Sequence, residues 1–293
     1  KDIMSIIILT KNTKYEYETT SLIKEFNIKD VVVRVCQFKK FDIVINDGIY
    51  YDGTKLELPK LVLVRLGAGI TRAELAIIRF FELAGVKVVN SSASINLVQD
   101  KFQSSEMLHQ AGIAVPSTMI ARYPITNNLV EKHIGFPCIL KVVVGSFGEG
   151  IYMCHSKQEY ERVIEFANAL HNEKVLIAQE YIDDRPGEDL RVFIVGDKVI
   201  GAMKRTAPIG DFRANITNGG TGEEFEVTPE VEKIALDTAR VLNLQIAGID
   251  LLFDKRGFRV CEANSNPGFS GFDKYCNTNV AKYIVEYALS LIN

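Results

Sequence analysis

Asp250, Glu262 and Asn264 are the side chains whose type and spacing point most directly to chemistry. Between Ala247 and Asn264, two apolar stretches of strand character flank Asp254-Lys255-Arg256-Gly257. With Lys255, Arg256 and Gly257 as a three-residue turn, Gly257 taking the left-handed position, Asp254 pairs with Phe258. Counting back along both strands then sets Asp250 opposite Glu262. Directly opposed side chains share a face with Cβ atoms about 5 Å apart, where like charges repel, so a cation is expected between them. Asn264, two residues further along that face, adds an amide oxygen about 7 Å away. Two carboxylates and an amide are hard donors of the kind Mg2+ accepts, with water and substrate phosphate completing its shell. The competing reading is a solvated sheet edge with a lysine for each carboxylate. Against it stands the cost of unpaired charge among Ile249, Leu251, Phe253, Val260 and Ala263.

A phosphate-bearing partner would need cations, and the sequence offers a set. Lys141 sits within the apolar strand pattern Ile139 to Val144, where its stem is cheaply buried only if the ammonium finds an anion. The strand runs into Gly145-Ser146-Phe147-Gly148-Glu149-Gly150, whose glycines free backbone N–H groups to wrap an anion. Ile151 and Tyr152 occupy the Lys and Ser/Thr positions of a Walker A loop, and Gly67 to Arg72 lacks the third glycine of a dinucleotide fingerprint. Taken alone, the glycine-rich turn also reads as a mobile hairpin, and Lys101 as a solvated surface lysine. Arg205 and Arg213 lie in the polar connection from Met203 to Asn215, where two guanidinium groups suit a transferred phosphoryl group.

These residues need elements to hold them. Over residues 1–95 short β-rich runs (Ser5 to Thr10, Val31 to Val35, Ile43 to Ile45, Leu61 to Val64, Val86 to Val89) alternate with amphipathic stretches, one being a helix from Arg72 to Ala84 stopped by Gly85. This is an α/β unit with a parallel sheet. A second segment, 96–173, opens with a helix near Asp100 to Ala111 and carries the Lys141 strand and glycine loop. From 174 to 293 hairpins dominate, one turning at Gly196-Asp197, with a helix opened by Thr228-Pro229 and carrying Val231, Ile234, Ala235, Thr238, Val241 and Leu242 inward.

Composition sets the outer bounds. In 293 residues, 34 Lys+Arg against 37 Asp+Glu leave a net charge of -3, which gives no general field for nucleic acid or anionic lipid. Aliphatic runs such as Ile6 to Leu9 fall short of the ~20 residues of a membrane span and of a secretory core, so a cytoplasmic protein is expected. The 5 cysteines, none in a C-x-x-C pair, read as free thiols, and the 4 histidines lack zinc-type spacing.

In order along the chain, Asp100-Lys101, Lys141 with its loop, Gln179-Glu180-Tyr181-Ile182, Asp189-Leu190-Arg191, Asp211 to Asn215, Ala247 to Asp250 and Glu262 to Gly268 resemble the ATP-grasp ligases, in their RimK-like amino-acid ligase branch. The end of the series is similar to animal synthetases joining glutamate to N-acetylaspartate or citrate, the arginine loop to bacterial ribosomal-protein glutamate ligases. The resemblance implies a pre-grasp domain followed by two lobes that clamp ATP. It implies that Lys101 and Lys141 meet the ATP phosphates, that Gln179, Glu180, Tyr181 and Ile182 hold adenine, and that Asp189 lies near the ribose or adenine. Arg213, as the catalytic cation, and Asn215 face the γ-phosphate; Asp250, Glu262 and Asn264 hold one or two Mg2+ or Mn2+ ions; Arg65 and Arg205 address substrate. The implied reaction is amide formation through an acyl phosphate, glutamate or another amino acid being joined to a small carboxylate or peptide. Two other readings stay open: extension of a peptide or carrier-protein carboxylate, and an ATP-binding regulator without turnover. Neither nucleic acid nor membrane is an expected partner, and a homo-oligomer is compatible with the sequence.

Overall fold

The computed structural model describes residues 6–11, 16–66, 69–143, 150–170, 175–214, 216 and 219–292. The glycine-loop positions 144–149 and Asn215 lie outside them. The first lobe runs β1 (Ile6–Thr10), α1 (Tyr17–Ile28), β2 (Val33–Gln37), β3 (Phe41–Val44), β4 (Gly48–Tyr51), β5 (Thr54–Lys55), β6 (Leu61–Arg65), α2 (Arg72–Leu83) and β7 (Lys87–Val89). Its main sheet is parallel, in the order β2-β1-β6-β7. Ile43 falls outside that sheet, in a separate antiparallel β3-β4-β5 unit. The reason is connection length, since tight turns join these strands and a parallel neighbour needs a crossover of about a dozen residues. Helix α2 starts where expected, on a capping box of Thr71 and Glu74.

The middle of the chain gives α3 (Ser92–Gln99), α4 (Lys101–Gln110), β8 (Thr118–Ala121), α5 (Leu129–His133), β9 (Cys138–Val142), β10 (Ile151–Cys154), α6 (Lys157–Ala169) and β11 (Leu176–Glu180). Asp100 caps α4, accepting from Phe102 and Gln103 N–H. The sheet order is β10-β9-β11-β8. The division expected at residue 174 therefore falls ahead of a strand that belongs with the central sheet: β11 lies between β9 and β8 and hydrogen bonds to both.

The last lobe comprises β12 (Glu188–Val195), β13 (Lys198–Thr206), β14 (Thr221–Phe225), α7 (Pro229–Val241), β15 (Ile246–Asp254), β16 (Gly257–Asn264), α8 (Ser270–Cys276) and α9 (Val280–Ser290), with an antiparallel sheet β14-β13-β12-β15-β16. Its β15–β16 turn is one residue shorter than expected, so that Asp254 pairs with Gly257 and Leu251 with Val260. A bulge beside Asp250 then absorbs Cys261 and restores the phase, giving Asp250↔Glu262, Ile249↔Ala263 and Gly248↔Asn264. The expected carboxylate pairing is present, by a different local route.

One apolar core joins the first and last lobes, with Ile6, Leu22, Phe26 and Leu61 packed in the same cluster as Phe193, Phe269, Phe272 and Ile284. The central lobe has its own, around Leu140, Cys154, Tyr160, Ile164 and Ala178. Leu108 of α4 packs into the core beneath α7.

Candidate active site

Asp250 is buried on β15 between β12 and β16. The register sets Arg191 of β12 beside it, and Arg191 grips the carboxylate in a two-pronged pair, Nε to Oδ1 and Nη2 to Oδ2 at 2.7 Å. Arg205 of β13 donates from Nη2 to the same Oδ2 at 3.0 Å. It also holds Asp189 through Nε (2.7 Å) and Nη2 (2.6 Å). Burial alone would push the Asp250 carboxyl up, but the two guanidinium groups overcome it and hold the group below the usual carboxylate range. Burial pushes Asp189 up, and Arg205 only partly offsets this. The positive partner expected beside Asp250 is thus, in this structure, protein. Arg205 is enclosed between two aspartates rather than turned toward a substrate, and Asp189 is bonded into the same cluster rather than standing free beside a nucleotide.

Glu262 lies on the edge strand with a partly exposed side chain, 3.9 Å from Lys101 Nζ. Asn264 turns its Nδ2 toward the Gly248 carbonyl at 3.5 Å, which points its amide oxygen the other way. From the central lobe Lys141 reaches Gln179 Oε1 at 2.5 Å and Cys261 Sγ at 3.7 Å. Gln179 in turn donates to Thr118 at 3.0 Å. Lys101 and Lys141 thus reach Glu262 and Cys261 of β16, with Gln179 behind Lys141.

The rest of the expected hinge strand is less open. Glu180 accepts from Arg259 Nη1 (2.7 Å) and Ser117 N–H (3.0 Å), so its carboxylate ties the lobes together. Tyr181 and Ile182 are half-buried just beyond it. Arg213 is held by Asp211, with Nη2 to Oδ2 at 2.8 Å and Nε to Oδ1 at 3.0 Å, and in return keeps the Asp211 carboxyl down at about 2. Arg65 is buried, donates to the Pro267 carbonyl at 3.0 Å and lies over the Phe269 ring. It braces the loop following Asn264 rather than presenting a free cation.

Two residues with a strong hold on the site went unsingled by sequence reasoning. Arg191 interrupts an apolar strand as Lys141 does, and that was its signal. Asn90 gave none. Among the described residues no group of three or more His, Cys, Asp or Glu stands ready for a metal. A cation would rest on Glu262, Asn264 and Asp250, an all-oxygen set that suits Mg2+. Asp250 fits least openly, because three guanidinium contacts already occupy it.

Comparison with known families matches residues 98–288 to the RimK-like ATP-grasp domain and residues 4–95 to the RimK PreATP-grasp domain. The chain belongs to the RimK-like ATP-grasp family. This RimK-like chain is 36% identical over 289 residues to a "Probable alpha-L-glutamate ligase" of Cellvibrio japonicus, covering 97% of the chain and 95% of the relative. A protein of the same name from Pseudomonas fluorescens is 36% identical over 288 residues, with 97% and 95% covered. In fold it is similar to the ATP-grasp ligase PsnB, solved with a phosphomimetic variant of its minimal precursor, Mg and ADP (TM-score 0.77, 20% identity, 100% of each chain covered). The RimK-like chain is an ATP-grasp carbon–nitrogen ligase in class.

Proposed function

We propose that the enzyme activates a substrate carboxylate with ATP and joins it to the amine of L-glutamate or another amino acid, releasing ADP and phosphate. The observation that carries this reading is the convergence of Lys101 and Lys141 on the Glu262 segment of β16, which brings ammonium groups and oxygen donors to one place, as a metal-bound polyphosphate requires. The name shared by the relatives favours glutamate as the amine.

In this reading Lys101 and Lys141 neutralise ATP phosphates. Adenine rests on Gln179 and on the backbone at Tyr181 and Ile182, since the Glu180 carboxylate is committed to Arg259. Glu262, Asn264 and Asp250 would hold one or two Mg2+, which when bound would supply charge neutralisation and Lewis acidity at the phosphates. An acceptor carboxylate oxygen attacks the γ-phosphorus and the bond to ADP breaks; the amine nitrogen then attacks the acyl carbon and phosphate leaves. Arg213, aimed by Asp211, counters charge on the transferred phosphoryl group and on the tetrahedral intermediate, and Asn215 is proposed for the same γ-phosphate. Asp189, Arg191 and Arg205 keep the buried end of Asp250 rigid.

The test is Mg2+-dependent ADP release from ATP over glutamate-ended peptides, citrate and N-acetylaspartate, each with a panel of amino acids. Release requiring both a carboxylate and an amine, with a product one amino-acid residue heavier, is expected. ATP binding with no substrate-dependent release would favour a regulator. Glu262→Ala should lower kcat/KM about 100-fold or more, ~2.7 kcal/mol, at unchanged secondary structure; full activity there would remove Glu262 from the cation site.

A further inference from the structure

Asn90, between β7 and α3, is 1% exposed, and its carboxamide is fully employed. Nδ2 donates to the carbonyls of Ile246 (2.8 Å) and Ser265 (2.7 Å), while Oδ1 accepts from the N–H groups of Gln245 (2.8 Å) and Ile246 (3.0 Å). Two donors and an oxygen with two lone pairs are all such a group has. The groups it meets belong to the two ends of one hairpin: Gln245 and Ile246 open β15, and Ser265 follows β16. Asp250, Glu262 and Asn264 stand on the rungs just inside that open end.

Those rungs need an external support. They are cut off from the turn by the bulge at Cys261, and β16 is the edge strand of its sheet. A short ladder segment between a bulge and a strand end frays readily. We propose that Asn90 is the positioning residue for this segment, through which the first lobe fixes the spacing of Glu262 and Asn264 against Asp250. It acts through Ile246 and Ser265. The inference rests on the reading of those three residues as the cation site.

Asn90→Asp keeps the shape and the acceptor but loses both donors. Mn2+ binding in the presence of ADP, followed by loss of the free-ion EPR signal, should weaken ~10-fold or more, with thermal unfolding still cooperative. Tyr17→Phe removes a different contact between the same lobes, the bond to Asp273, and should bind Mn2+ as wild type does. Coupling is reciprocal, so Mn2+–ADP should slow amide exchange at Gln245 and Ile246 in the wild-type protein. Wild-type Mn2+ affinity in a folded Asn90→Asp variant would overturn the inference. If that variant does not fold, unchanged exchange at Gln245 and Ile246 on binding would overturn it instead. A wild-type protein that binds no Mn2+–ADP would remove the cation-site reading itself, and this inference with it.

Discussion

Arg205 is divided between Asp189 and Asp250, while Arg191 pairs with Asp250, so four charges close on one another, with Arg205 and Asp250 buried and Asp189 and Arg191 half-buried at the edge. Removing one partner from such a set leaves the others uncompensated, which costs more than the set contributes when whole. Arg213 is different in kind: its pair with Asp211 is local and partly exposed, and it orients more than it stabilises. The Asp211 carboxyl, held at about 2 by Arg213, contributes its stabilisation fully above the ordinary carboxylate pKa and loses it as pH falls through about 2. NMR titration of Arg213→Ala should show Asp211 moved up toward the ordinary range, short of it because the residue 213 N–H still donates to the carboxylate; a value still near 2 would mean that backbone N–H groups, not the guanidinium, set it. At this scale the sequence was legible wherever a charge interrupted an apolar strand, as at Lys141 and Asp250. The same rule marks Arg191, but that its anion is Asp250 depends on β12 lying beside β15, a strand order that no local pattern encodes. The partners of Glu180 and Arg65 were illegible for a related reason, Arg259 and Pro267 being 79 and 202 residues away.

Most strands and helices follow from periodicity and caps, as Thr228 and Pro229 at the start of α7 illustrate. What periodicity could not reveal is how the elements interlock. Gly248 is an example: a Cβ there would lie 2.9 Å from both Arg191 Cδ and Pro267 Cβ. Gly248→Ala should therefore destabilise the fold by ~1–3 kcal/mol through overpacking, read as a lower urea midpoint; an unchanged midpoint would mean that Arg191 can step aside. The β15–β16 hairpin offers a sharper test. Deleting Cys261, the residue that the bulge leaves unpaired, should make Leu251↔Val260 and Asp250↔Glu262 consecutive rungs of a regular ladder, so that Glu262 stays opposite Asp250 and activity is kept. Loss of activity in the deletion variant would show that the bulge does more than set phase.

The first and last lobes share a core, α4 packs with the last lobe, and the sheet of the central lobe has a core of its own, so two stability units are expected rather than three lobes of equal standing. Unfolding in urea should resolve two transitions. Phe272→Ala, in the shared core, should shift one by ~3–5 kcal/mol, and Ile164→Ala, in the central lobe, the other by ~2–5 kcal/mol. If either variant shifted both transitions together, the cores would be one. The shared core also sets an order of assembly during synthesis. Ile6, Ile8, Leu61 and Leu63 leave the ribosome early, yet Phe269, Phe272, Ile284 and Val285, which lie in the same cluster, are made about two hundred residues later. At ~5–20 residues per second, the nascent first lobe carries an uncovered apolar face for ~10–40 s, long enough to make it the part of this chain most in need of a chaperone.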